Sequence, residues 1–132
     1  MTLTDKELAE EARIRSVTEA FFAVYNELGF GFLESVYSAA LERELRRRGH
    51  EVAREVRVQV YFRGVPVAWH RLDMIADRCL VIENKSTELL PKVAHRQLQN
   101  YVCATKLEVG LLLHFGPEPK LYRHVSRNPP GR

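Results

Sequence analysis

The stretch that most constrains this chain is Val109 to Phe115, VGLLLHF. A continuous apolar run of strand length has no polar face to offer water, so it reads as a central strand covered on both sides. The covers must come from helical patterns elsewhere, and the sequence holds three. Thr4 begins a capping-box pattern with Glu7, after which Ile14, Val17, Phe21, Val24, Tyr25 and Leu28 form a stripe that Gly29 ends. Leu33, Val36, Tyr37, Ala40, Leu41 and Leu45 form a second, with Gly49 as its stop. A third, over 92–105, carries Ala94, Leu98, Tyr101 and Val102.

Between the second and third patterns the period changes from helical to alternating. Val56, Val58, Val60 and Phe62 alternate with Arg57, Gln59 and Tyr61, Arg63-Gly64 offers a turn, and Val65 to Ala76 reads as a second strand. Cys79 to Lys85 reads as the third, and Leu121 to Val125 as a short edge strand after the central one. The succession is helix, helix, three strands, helix, strand, an α/β architecture in which helices pack on one mixed sheet. The spacing predicts a single domain over 1–126 and a disordered tail over 127–132, RNPPGR.

The chain of 132 residues is long enough for a real core. No apolar run approaches the roughly 20 residues of a membrane span, and MTLTDKELAEEARIRS lacks the apolar centre of a signal peptide, so a cytoplasmic location is expected. Cys79 and Cys103 form no CxxC and read as small buried hydrophobes in a reducing compartment. A net charge of +3 permits a polyanionic partner without requiring one. Arg46, Arg47 and Arg48 fall at a helix end, where cations favour the helix dipole.

The chemistry concentrates in CLVIENKS, 79–86, where an apolar run breaks into Glu83, Asn84 and Lys85. Charges at the end of a buried strand need partners. If Asp77, Arg78 and Cys79 form a hairpin loop, Asp73 stands opposite Glu83 and Arg71 opposite Lys85. Opposed carboxylates repel or force one to stay protonated, and a hard cation such as Mg²⁺ reverses the sign. Lys85 shares a face with Glu83, where an ammonium can orient an attacking water or contact a phosphate oxygen, while Asn84 faces the other way. Taken alone, Glu83-Asn84-Lys85 reads first as a simple ion pair between Lys85 and one of the acids at a strand end.

With these residues in place the chain resembles the GxxExxY family, a branch of the PD-(D/E)XK nuclease-like superfamily. The naming motif is Gly31 to Tyr37, GFLESVY, and the core pattern is Asp73 followed by Glu83-Asn84-Lys85, within a resemblance running from about Thr18 to Val125. It implies a restriction-endonuclease-like core, α-β-β-β-α-β with a mixed central sheet flanked by helices, to which the first helix is an N-terminal addition. It also implies a nuclease in which Asp73 and Glu83, with Glu34 as a further acid and the Asn84 carbonyl as a further ligand, hold Mg²⁺ or Mn²⁺, and Lys85 positions the water. Without the family, Glu34 reads as a solvated helix residue and Tyr37 as core. Gln97 and Tyr101, one helical turn apart, resemble the Q-x-x-x-Y pattern of RecB-like members, where the helix borders the site and touches nucleic acid; unaided, Tyr101 reads as core and Gln97 as exposed. Arg71 and Arg96, with Lys92 and His95, are candidate phosphate contacts, and His70 should face away from Arg71. Two departures stand out: Asn84 where the superfamily is usually apolar, and His114 where asparagine is common. The rival function is an inactive nuclease-like module that binds nucleic acid or a protein partner; a homodimer is compatible with either.

Overall fold

A computed structural model describes residues 2–126, so the tail read as disordered lies outside the described residues. Along the chain run α1 (Asp5–Leu28), α2 (Glu34–Arg47), β1 (Val52–Phe62), β2 (Val65–Ala76), β3 (Leu80–Lys85), α3 (Val93–Thr105), β4 (Val109–Phe115) and β5 (Pro119–Val125). The strands lie in that order in one sheet. Only β3 and β4 are parallel, with α3 as their crossover; the other neighbours are antiparallel. No described helix is long and apolar enough to cross a membrane.

The central strand behaves as its composition demands. Val109, Leu111, Leu113 and Phe115 pack with α1 and α2 on one face, and Leu112 packs with Ala94, Leu98 and Val102 of α3 on the other. Each fully buried leucine or phenylalanine contributes about 1.5–3 kcal/mol relative to exposure. Helix α1 starts where the capping box places it, with the Glu7 amide donating to Thr4 Oγ1 at 3.1 Å, and ends at Gly29 with φ 71°.

Gly110 sets how closely α3 approaches β4. A Cβ there would lie 2.6 Å from Val102 Cγ2 and 3.2 Å from Leu98 Cδ1, and a β-branched valine cannot swing away. Gly110→Ala is therefore expected to destabilise the fold by about 1–3 kcal/mol, measured by urea denaturation. An unchanged midpoint would mean that α3 is free to move outward.

Three expectations need correction. Val56 and Val58 do share a face, but the register shifts between Val60 and Tyr61, and this bulge puts Phe62 opposite Val65. The β2–β3 ladder holds only Met74–Ile82, Ile75–Val81 and Ala76–Leu80. Arg71 consequently never faces Lys85. It stands opposite Arg57 and reaches Glu55 at 3.9 Å, because β2 leaves β3 just before Met74. Finally, Cys79 and Cys103 are free thiols but only partly buried.

The point of divergence is a change of face. Met74 packs with the α1–α2 side, whereas Leu72, two residues earlier, packs with the α3 side; in a regular strand both would point the same way. On β1 the change occurs at Glu55, which has φ 55°. Arg54–Met74 and Val56–Leu72 are paired, but Glu55 and Asp73 between them are not. A left-handed glutamate inside a strand costs on the order of 1–3 kcal/mol, the kind of strain that collects at functional sites.

Candidate active site

The side chains of Asp73 and Glu83 occupy the split that opens where β2 leaves β3. The Asp73 amide donates to Glu83 Oε1 at 2.8 Å, and the Asn84 amide donates to Asp73 Oδ2 at 2.7 Å. Each carboxylate thus caps the other strand's backbone in place of the missing ladder bonds. One oxygen of each, Asp73 Oδ1 and Glu83 Oε2, keeps its accepting capacity.

These acids are not at ease. Glu83 is 8% exposed; burial first, then the Asp73 charge, pushes its carboxyl up to about 8, against the pull of the Asp73 amide and Lys85. Burial also raises Asp73, opposed by the Asn84 amide and by Lys85 and Arg54. Glu34 is half-buried rather than solvated. It opens α2, and burial and Asp73 raise its carboxyl while Lys85 and the Ser86 amide pull it back. Three mutually repelling acids therefore converge within reach of Lys85. Among the described residues Lys85 makes no direct ion pair with any of them, so the strand-end salt bridge is not formed.

The GFLESVY stretch is a clasp. Gly31 adopts φ 117°, open to glycine and strained for other residues. The Tyr37 hydroxyl donates to the Gly29 carbonyl and accepts from the Phe32 amide. Its ring is fully buried and stacks on Phe115 at 4.3 Å, the core role expected of it. Ser86 Oγ donates to the Phe32 carbonyl at 2.6 Å. The loop before α2 is thereby tied to the end of β3, which aims Glu34 at Asp73. An acid in the first turn is also favoured by the helix dipole.

Asn84 faces α2, as alternation requires, and its Nδ2 donates to Ser38 Oγ at 3.0 Å; its Oδ1 is buried without a partner. His114 is likewise accounted for, its Nε2 meeting the Thr87 carbonyl at 2.7 Å and so holding the β3–α3 connection. On the α3 side, Glu83 and Lys85 border a pocket of about 20 Å³ with His70, Gln97 and Tyr101, room for one water molecule. Here Gln97 is exposed and Tyr101 half-buried. His70 does face away from Arg71, but towards the site: its ring stacks on Tyr101 at 3.7 Å, and burial holds it below the usual imidazole range. Sequence reasoning assigned His70, Ser38 and Ser86 no part in the site. On the α2 side, Asp73, Glu34 and Arg71 border a cleft of about 160 Å³. Arg96 is exposed on α3, whereas His95 is turned onto His124 at 2.9 Å.

The free donors at the split are carboxylate oxygens, a set suited to a hard divalent cation, and the adjoining pocket adds the imidazole of His70, whose Nε2 is buried without a hydrogen-bond partner. The described residues hold no group of three His, Cys, Asp or Glu spaced to ligate a metal ion. The protein by itself offers two acids at the split, with Glu34 standing beside them.

Comparison with known proteins bears on the family and the fold. The crystal structure of SSO0001 is similar with a TM-score of 0.58 at 25% identity, over 87% of this chain and 61% of the other; the chain thus spans less than two thirds of that protein's length. No curated protein matches. Residues 11–127 match the PD-(D/E)XK nuclease superfamily, while the GxxExxY branch rests on the GFLESVY motif alone. The chain belongs to the PD-(D/E)XK nuclease superfamily.

Proposed function

We propose that the chain is a metal-dependent nuclease that hydrolyses phosphodiester bonds at the split between β2 and β3. The observation that carries this reading is the crossed pair of carboxylates, each fixed by the other's strand and each with an oxygen to spare. Asp73 and Glu83 hold Mg²⁺ or Mn²⁺, with Glu34 and the Asn84 carbonyl adjacent. A divalent cation there supplies charge neutralisation on the scissile phosphate and lowers the pKa of water.

The other roles belong to the chain itself. Lys85, with no ion partner among the described residues, donates to the attacking water in the pocket it shares with Glu83 and stabilises the negative charge that develops on the phosphate oxygens. His70 and Tyr101 wall that pocket and restrict it to a single small nucleophile. Arg71 at the cleft and Gln97 and Arg96 on α3 contact the nucleic acid backbone; Tyr101, already stacked on His70, contributes a wall more than a free stacking surface.

The test is incubation of the full chain with labelled single- and double-stranded DNA and RNA in Mg²⁺, Mn²⁺ or EDTA. Cleavage in a divalent ion that EDTA abolishes is the expected result. Binding in all three conditions with no cleavage in any would establish the inactive module instead.

A further inference from the structure

We infer that the outer half of the β1–β2 hairpin, residues 56–72, is a nucleic-acid-binding arm whose open face carries a single strand to and from the cleft at Asp73. The inference rests on the nuclease reading for the identity of the polyanion, and on three independent features of the arm for its existence.

The first is geometry. β2 pairs with β3 only through Met74, Ile75 and Ala76, so everything before Asp73 projects past the sheet as a two-stranded ribbon of about 20 Å. Val56 and Leu72 pack towards α3, which leaves the opposite face unsupported. Following the ladder and its bulge, that face presents Arg57 and Arg71, then Trp69, Val67, and finally Phe62 and Val65. Trp69 is 50% exposed and Phe62 60%. Its inner end, Arg71, lines the same cleft as Asp73 and Glu34.

The second is charge. From Val56 to Leu72 there are three arginines, one histidine and no acid. A second copy of the chain docked symmetrically on this face would bring Arg57 and Arg63 against a like-charged surface, and the carboxylate at its inner end, Glu55, already engages Arg71 of its own chain at 3.9 Å. A strand of phosphates has the opposite charge at regular intervals.

The third is the pairing of rings with guanidinium groups. Arg57 lies over the Trp69 ring at 4.0 Å and Arg63 over the Phe62 ring at 5.1 Å. An exposed aromatic ring held by a cation provides a surface for an unpaired base beside a contact for its phosphate, the combination used by proteins that bind single strands without reading sequence. The strained Glu55 gains a purpose on this account, because the change of face there turns the arginine and aromatic side towards the cleft.

The test measures binding apart from cleavage. Fluorescence anisotropy of labelled single-stranded DNA and RNA oligonucleotides is followed in EDTA with the full chain, Trp69→Ala, Trp69→Phe and Arg57→Ala. Trp69→Ala is expected to weaken binding about 5- to 100-fold, Trp69→Phe to recover most of it, and Arg57→Ala to reduce the salt slope by about one. Hydrolysis of bis(p-nitrophenyl) phosphate, too small to reach the arm, is expected to be unchanged in Trp69→Ala. Wild-type oligonucleotide affinity in Trp69→Ala would overturn the arm, as would a dimer by light scattering that Trp69→Ala dissociates without loss of oligonucleotide binding. Tight, Trp69-dependent binding by a chain that cleaves nothing would leave the arm standing and remove the nuclease.

Discussion

Glu83→Ala is expected to abolish metal-dependent cleavage, and Lys85→Ala to lower it about 10²- to 10⁴-fold, with both variants folded. The two losses have different origins. Removing Glu83 takes away a cation-holding oxygen and the acceptor of the Asp73 amide, so metal affinity falls together with rate. Removing Lys85 leaves both carboxylates in place but takes away the ammonium that orients water, so metal affinity is kept and the rate alone falls. Lys85→Arg should not restore activity, because a planar fork cannot enter a pocket of about 20 Å³ as a compact ammonium does. Single-turnover cleavage across a Mn²⁺ titration separates the cases. Cleavage that survives in both alanine variants would remove the site from this part of the molecule.

The architecture was legible in the sequence to the extent that period and side-chain chemistry determine it. Apolar alternation and the VGLLLHF run placed every strand, and the capping box marked the start of α1, because both report on burial and local hydrogen bonding that the residues carry themselves. The hairpin register also put Asp73 beside Glu83. What alternation could not show was that the ladder stops at Met74 and that both strands change face at Glu55 and Asp73. A glutamate in left-handed conformation leaves no trace in a binary pattern; an Asn or Gly would have. For the same reason His70 read as peripheral and Arg71 as a partner of Lys85. Asn84 finds its partner in Ser38, a pairing across 46 residues that no local rule supplies.

The buried acids also make the ion-free protein sensitive to pH, with a sign that differs from the usual carboxylate case. Glu83 titrates near 8 in the folded state against 4.5 as its ordinary value. A raised acid binds more protons folded than unfolded, so its favourable contribution is complete below about pH 4.5 and is lost as pH climbs through 8. Asp73 and Glu34, both raised by burial, act in the same direction. The cost at pH 8 is on the order of a few kcal/mol. Glu83→Gln keeps an oxygen for the Asp73 amide and removes the charge. In EDTA at pH 8 it is expected to melt about 5–10 °C above wild type, with the difference vanishing near pH 4.5. Millimolar Mg²⁺ or Mn²⁺ should raise the wild type by a similar amount, since a ligand that binds only the folded state stabilises it, and should leave Glu83→Gln nearly unmoved. Identical pH profiles for the two proteins in EDTA would show that Glu83 carries no electrostatic strain, and the case for a cation at the split would then lose its physical basis.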